Sequence, residues 1–312
     1  MEIVALFPGQ GSQKPGMGRD LAERFPEAKR VFDEVDDALS TPLSTLCFEG
    51  PADELTRTHN AQPALLAHGI AVWRVIAGRT GQRARAGAGH SLGEFTAHCA
   101  AGAMSLGAAV KLVRRRGQLM YEAGEQRPGT MAAVLGDLDR PIDDVCGRAS
   151  GDAGLVVPAN YNAPGQTVIS GEVAGVECAM AIARSSGARR TVRLQVSGAF
   201  HSPLMDPARP GLEQALAEAG VGEPAFPVYS NVSEEPVTDG ARARELLLRQ
   251  LTAPVRWMGE MRAMAAAFPG ALFVEMGPGN VLTGLMKRIA PEVATASCGT
   301  AADVETFLQQ VA

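Results

Sequence analysis

Cysteine is scarce in this chain, and what there is does not pair. Cys47, Cys99, Cys146, Cys178 and Cys298 are odd in number, widely spaced and free of any Cys-x-x-Cys. That excludes a disulfide framework and a zinc site, leaves no metal centre to expect, and points to reduced thiols in the cytoplasm. No apolar run approaches the ~20 residues of a membrane span. The opening run Ile3–Phe7 reaches Pro8-Gly9 too early, and without a basic leader, to be a signal peptide. A basic excess is also missing. The 29 Lys and Arg stand against 34 Asp and Glu, a net charge of −5 with no Lys/Arg tail, which argues against nucleic-acid binding. Repeats and low-complexity segments are absent too. What remains is an ordinary globular composition, 46% hydrophobic and 20% charged over 312 residues, with core enough to need no staple.

Strand-like and helical patterns alternate, which predicts an α/β fold with a central, mostly parallel sheet. Ile3–Phe7 reads as a buried strand, with helices over Gln62–Ile76 and Gly107–Ala123. From Thr130 the order changes. Strand Thr130–Leu135, helix Arg140–Ser150, strands Leu155–Ala159 and Gln166–Ser170 about an Asn/Pro/Gly turn, helix Val173–Ser186 and strand Thr191–Val196 make a βαββαβ, ferredoxin-like unit. Pro128-Gly129 and Ser197-Gly198 punctuate its ends, so residues 128–197 are expected as a small inserted subdomain. Residues 1–127 and 198–312 then form the larger one. There the pattern resumes with helix Pro207–Ala219, strand Ala225–Tyr229, helix Arg242–Gln250, strand Leu272–Met276 and helix Val281–Ile289.

Gly89-His90-Ser91-Leu92-Gly93 fits the Gly-x-Ser-x-Gly nucleophile elbow, a sharp strand-to-helix turn that exposes a serine hydroxyl. This makes the larger unit α/β-hydrolase-like and requires a strand over Arg83–Gly89, although Ala, Arg and Gly are poor strand formers. Pro8-Gly9-Gln10-Gly11-Ser12-Gln13 follows the first strand but lacks the third glycine of a dinucleotide fingerprint. An oxyanion role suits it better, with the Gln10 amide joining that of Leu92 after the nucleophile. A serine needs a base, and His201 in Ser197-Gly198-Ala199-Phe200-His201-Ser202 is the candidate. His59 and His68 are expected at an exposed helix start, and His98 in the helix leaving the elbow. Of Arg114-Arg115-Arg116-Gly117, the first two read as a solvated face. Arg116, beside a glycine that permits close approach, could grip a carboxylate bidentately. No Asp or Glu stands out as a third triad member.

Together, Pro-Gly-Gln-Gly-Ser-Gln at 8–13, Gly-His-Ser-Leu-Gly-Glu at 89–94, Arg116-Gly117, Gly-Ala-Phe-His-Ser at 198–202, Pro254-Val255-Arg256-Trp257 and Glu275-Met276-Gly277-Pro278-Gly279 resemble the malonyl-CoA:acyl-carrier-protein transacylase family, in family order and over essentially the whole chain. The resemblance implies a cofactor-independent ping-pong transfer of malonyl from malonyl-CoA to the phosphopantetheine thiol of holo acyl carrier protein. Ser91 would be acylated and His201 its base, with Gln10 and Leu92 amides as the oxyanion hole. The backbone carbonyl of Gln250 would orient the imidazole in place of a carboxylate. Arg116 would hold the malonyl carboxylate, with Phe200, Asn160, Asn162 and His90 about the substrate. Phe200 would disfavour a methyl branch. The acidic carrier would dock on Arg184, Arg189, Arg190 and Arg193. A free-standing cytoplasmic monomer, serving fatty-acid or polyketide synthesis, is the expectation; a thioester hydrolase and a transferase of another extender unit such as methylmalonyl are the alternatives.

Overall fold

The computed structural model describes residues 2–81 and 84–311. From the N-terminus, β1 (Ile3–Phe7) leads into α1 (Arg19–Arg24), α2 (Pro26–Leu39), α3 (Leu43–Glu49), α4 (Ala52–Thr56) and the long α5 (Thr58–Thr80). Next come β2 (Ala86–Gly89), α6 (Leu92–Ala100) and α7 (Leu106–Gln126). The middle of the chain holds β3 (Thr130–Leu135), α8 (Ile142–Ala153), β4 (Val156–Ala163), β5 (Gln166–Gly171), α9 (Val173–Ser185) and β6 (Arg190–Arg193). A 3-10 turn at Pro203–Ala208 precedes α10 (Arg209–Ala219), β7 (Val228–Tyr229), β8 (Pro236–Val237), α11 (Gly240–Arg249) and α12 (Trp257–Ala267). β9 (Leu272–Met276), α13 (Val281–Ile289), β10 (Thr295–Cys298) and α14 (Ala301–Val311) complete the chain.

Two sheets result. The larger has the order β10-β9-β1-β2-β7-β8, parallel except for the β7–β8 pair. Its centre, Ile3-Val4-Ala5-Leu6-Phe7, is buried at every position, as a parallel strand covered on both faces must be. The smaller sheet is antiparallel in the order β4-β5-β3-β6. One face packs Val134, Val156 and Ile169 on α8 and α9, while Met131, Ala159 and Val168 on the other join the main core.

β2 is the strand that propensity disfavours. It spans only Ala86–Gly89, shorter than the expected Arg83–Gly89, of which Arg83 lies outside the described residues. Its small residues answer to crowding: a Cβ on Gly87 would sit 2.9 Å from the Phe226 ring, and one on Gly89 1.9 Å from the Gly93 backbone. Other edges also moved. The strand expected over Thr191–Val196 is β6 at Arg190–Arg193, where pairing with β3 ends. Ala225–Tyr229 shrinks to the two residues of β7. β4 runs through Ala163 with two register shifts, so Asn160 and Asn162 lie on a strand rather than in the turn.

Helix α5 carries Pro63 in its interior. Proline has no N–H, so the His59 carbonyl four residues back loses its helical donor. The Arg114 guanidinium on α7 fills that place at 3.1 Å. Half-buried Arg114 is therefore a strut between helices, which corrects its reading as a solvated face; Arg115 is exposed and meets Glu122. One turn of chain away, a Cβ on Gly117 would lie 2.6 Å from His59 Cα, so only glycine lets the two helices touch. That contact fixes the intervening Arg116. His68 corrects a second expectation: it lies mid-helix in α5 at 0% exposure, not at an exposed start.

Candidate active site

Because the pairs β1–β2 and β1–β9 are parallel, the loops after these three strands emerge at one end of the sheet, where open α/β sheets place their sites. They lean on one another. A Cβ on Gly9 would lie 2.5 Å from the His90 carbonyl, and one on Gly277 2.3 Å from Pro8. Glu275 turns out to serve the scaffold, accepting from the Leu282 and Thr283 amides at 3.0 and 2.8 Å at the start of α13.

Ser91 stands between β2 and α6 at φ 51° and ψ −103°, a strained conformation for a residue with a side chain. The cause is the tight turn itself: α6 starts so close to the sheet that a Cβ on Gly93 would lie 1.9 Å from the Phe7 carbonyl oxygen. His201 also has positive φ, 57°. The two strained residues meet, Ser91 Oγ and His201 Nε2 being 2.8 Å apart.

The direction of that bond follows from its neighbours. His201 Nδ1 lies 2.9 Å from the Gln250 backbone carbonyl, which can only accept. Nδ1 therefore carries the proton, and Nε2 offers a lone pair to the serine O–H. Burial, with the positive charge of Arg116 adding to it, pushes the His201 pKa down to about 3. The imidazole is therefore neutral at neutral pH, with the Nε2 lone pair free to accept the serine proton.

Arg116 is 1% exposed, and its hydrogen-bond acceptors are neutral: Gln62 Oε1 at 2.7 Å, Gln250 Oε1 at 3.0 Å and Ser91 Oγ at 3.3 Å. Its guanidinium lies 5.0 Å from the centroid of the Phe95 ring. Among the described residues its Nε has no hydrogen-bond partner. Burial lowers its pKa to about 10 against the pull of Glu94, so it stays charged. A buried cation on neutral oxygens, touching the serine, suits an anion that arrives with a substrate.

The other sequence candidates divide. Phe200 is buried beside His201 in sequence. His90 Nε2 bonds Asn162 Oδ1 at 2.8 Å and lies 5.6 Å from Trp257 between ring centroids. Asn160 bridges to Val255, tying the small sheet to the large unit. Leu92 opens α6, where helical N–H groups lack an intrahelical acceptor. Gln10 lies in the loop after β1, its side chain accepting from Thr58 Oγ1 at 2.9 Å. Arg184, Arg189, Arg190 and Arg193 are all exposed at the far edge of the small unit, Arg193 pairing with Glu177 at 3.5 Å. Among the described residues no group of three or more His, Cys, Asp or Glu could hold a metal ion, and no helix is long and apolar enough to cross a membrane.

Sequence reasoning missed Gln62, Asn231, Glu94 and Glu260. Asn231 accepts from the Ser91 amide at 2.8 Å, donates to the Gly89 carbonyl at 2.9 Å and reaches Glu260 at 2.8 Å. Glu94, next to the elbow's last glycine, was the one with a signal, since an acid on a buried helix face needs partners. Burial raises its pKa to about 7 and that of Glu260 well above its ordinary value.

Comparison with known proteins places this geometry in company. The family model described as acyl transferase domain matches residues 4–305. The chain is 44% identical over 308 residues to the malonyl CoA-acyl carrier protein transacylase of Bacillus subtilis, covering 99% of this chain and 96% of that one. Among solved structures it resembles the acyl-carrier-protein S-malonyltransferase of Bartonella henselae at 43% identity and TM-score 0.93, covering 100% of this chain and 99% of that one. It also resembles a malonyl-transacylase solved in complex with its type II PKS acyl-carrier protein, at 39% identity and TM-score 0.94, covering 99% and 100%.

Proposed function

The chain belongs to the acyl transferase domain family over residues 4–305, and on that footing we propose that it carries a malonyl group from malonyl-CoA to the phosphopantetheine thiol of an acyl carrier protein. The observation that carries this reading is Arg116: a buried guanidinium 3.3 Å from the nucleophile oxygen, whose Nε has no hydrogen-bond partner among the described residues. A free carboxylate on the acyl group is what such a cation lacks.

Ser91 Oγ attacks the thioester carbonyl as His201 Nε2 takes its proton. The Gln10 and Leu92 amides hold the oxyanion, each donor contributing about 3 kcal/mol. The C–S bond breaks and CoA leaves with the proton from His201, giving a malonyl-Ser91 ester. The carrier thiol then attacks that ester. Its proton passes to His201 and on to Ser91 Oγ as the ester C–O bond breaks. The Gln250 carbonyl keeps Nδ1 protonated throughout, which is the task of a triad carboxylate done by a neutral dipole. No cofactor enters these steps.

An acetyl thioester leaves Arg116 unpaired, and a site built for a charge rejects the ligand that lacks it. Phe200 crowds an α-methyl branch, worth about 1–3 kcal/mol against methylmalonyl. His90, Asn160 and Asn162 line the acyl side. Residues 128–197 form the inserted subdomain, and Arg184, Arg189, Arg190 and Arg193 on it offer positive charge to an acidic carrier. The protein works as a cytoplasmic monomer in this reading, in keeping with its five free cysteines.

The test is single turnover. Protein loaded with malonyl-CoA and freed of excess thioester is mixed with holo carrier protein. Appearance of malonyl-carrier faster than free malonate is expected. Malonate released at the same rate with and without carrier would make the protein a hydrolase.

A further inference from the structure

Beneath the elbow runs a buried polar chain whose hydrogen-bond directions are set from its ends. Arg116 can only donate, so the Gln250 side-chain oxygen faces it and Gln250 Nε2 points the other way. There Nε2 donates to Glu94 Oε2 at 2.6 Å and to the Ser91 carbonyl at 2.9 Å. The Ser91 amide is likewise only a donor, which turns Asn231 Oδ1 toward it and Asn231 Nδ2 toward Glu260 Oε2. The Asn231 backbone N–H donates to the same Glu94 oxygen at 3.2 Å. Glu94, Asn231, Gln250 and Glu260 are all at 0% exposure.

We propose that Glu94 is a positioning residue for acyl-group selection: through the Gln250 side-chain amide it holds the Arg116 guanidinium where the free carboxylate of the acyl group binds. The inference rests on the reading of Arg116 given above. Its logic is the two-sidedness of an amide. With Glu94 accepting on the N–H side, Gln250 must show oxygen to Arg116, and a carboxylate on one side of an amide makes the oxygen on the other a stronger acceptor. Without that acceptor Gln250 Nε2 keeps only the Ser91 carbonyl and a longer contact to Asn231 Oδ1, and the side chain can shift and carry its oxygen away from the guanidinium. Arg116 would then move off its site while Ser91 and His201, the latter held by the Gln250 backbone rather than its side chain, stay in place. Glu94 touches neither the nucleophile oxygen nor the base; its effect passes to the acyl group through Gln250 and Arg116.

The experiment is the ratio of malonyl to acetyl loading, read by intact mass on the full chain, for the wild type, Glu94→Ala, Glu94→Gln, Gln250→Leu and the double variant Glu94→Ala/Gln250→Leu. Thermal melts confirm that each is folded. Misplacing a binding group by about 1 Å can cost roughly 10²-fold, so Glu94→Ala is expected to lower the ratio by at least about tenfold. Glu94→Gln, whose amide oxygen can still accept from Gln250 and Asn231, is expected to restore most of it. Gln250→Leu should lower the ratio like Glu94→Ala, and the double variant should fall no further, since the two act in series. Malonyl and acetyl loading falling together in Glu94→Ala would make Glu94 a mere support of the elbow and overturn the inference. So would two losses that multiply. A wild type that loads both groups equally would instead overturn the reading of Arg116, and the inference with it. Should Glu94→Ala not fold, Glu94→Gln and Gln250→Leu decide: a wild-type ratio in Gln250→Leu overturns the inference.

Discussion

Set side by side, the six-stranded and four-stranded sheets are built on different terms. The buried charged side chains Glu94, Arg116, Glu260 and Glu275 all belong with the larger sheet, as do the fully buried His68 and His98. Between the smaller sheet and its helices lie Val134, Val145, Val156, Ile169, Val176 and small Ala residues. The strained residues Ser91 and His201 also sit on the larger unit. Buried charge and positive φ each cost free energy. Their gathering at one end of one sheet marks where the protein gives up stability for chemistry, and the other sheet supplies a cheap, well-packed wall.

Matched glycine substitutions break this comparison most sharply. In the large unit, Gly93→Ala would drive a methyl to 1.9 Å from the Phe7 carbonyl. A loss above about 4 kcal/mol, or failure to fold, is expected. In the small unit, Gly147 on α8 has nothing within 4 Å of an added Cβ. There Gly147→Ala should be neutral or stabilise by up to about 1 kcal/mol. Thermal melts of the two variants measure both; equal losses would contradict the contrast.

Charge gives the next contrast. Removing the buried cation with Arg116→Ala should cut malonyl loading by roughly 10²–10³-fold while sparing the slow acetyl reaction. Reversing exposed charge on the small unit with Arg189→Glu/Arg190→Glu should act only on the second half-reaction. The apparent KM for carrier protein should rise by a few-fold to about tenfold, with acylation by malonyl-CoA unchanged. Rates of the two half-reactions, measured separately, distinguish the roles. If both fall together in the double reversal, those arginines do not dock the carrier.

Much of this is legible in the sequence. Gly-x-Ser-x-Gly, Gly-Ala-Phe-His-Ser and Arg116-Gly117 are local patterns, and the fold brings their Ser91, His201 and Arg116 side chains together. β1 was plain because a buried parallel strand is an unbroken apolar run. β2 was not, because Ala86-Gly87-Ala88-Gly89 is dictated by the closeness of α6 and Phe226 rather than by strand propensity. Helices α2 and α12 were passed over, and β10 with them. Their burial depends on partners distant in sequence. Glu94 alone carries a signal and Gln250 enters through the resemblance, but the links of the Glu94–Gln250–Asn231–Glu260 chain are not legible, because tertiary packing alone assembles them from residues 94 to 260.

The last contrast concerns pH. All five histidines lie outside residues 128–197. Burial pushes His68 down to about 4, below its unfolded value near 6.5. Between these values the unfolded chain binds a proton that the folded one refuses. His68 thus costs nothing above pH 6.5 and destabilises progressively as pH falls toward 4. Glu94 and Glu260, raised by burial, run the opposite way and favour the folded state as pH falls from about 7. His68→Leu removes one of the histidine contributions to this balance, those of His98 and His201 remaining. Its stability relative to the wild type should improve by about 1–3 kcal/mol between pH 7 and 4.5. Urea melts across that range check it; a constant difference would mean that His68 takes its proton readily in the folded state.

The central claim is that Ser91 carries the acyl group and Arg116 chooses it. The most direct test is intact mass after brief mixing with malonyl-CoA, acetyl-CoA or methylmalonyl-CoA, beside Ser91→Ala. The account predicts one malonyl adduct, little from the other two thioesters, none in Ser91→Ala, and complete discharge onto holo carrier protein. Free CoA accumulating with no adduct, or an acetyl adduct as abundant as the malonyl one, would contradict it.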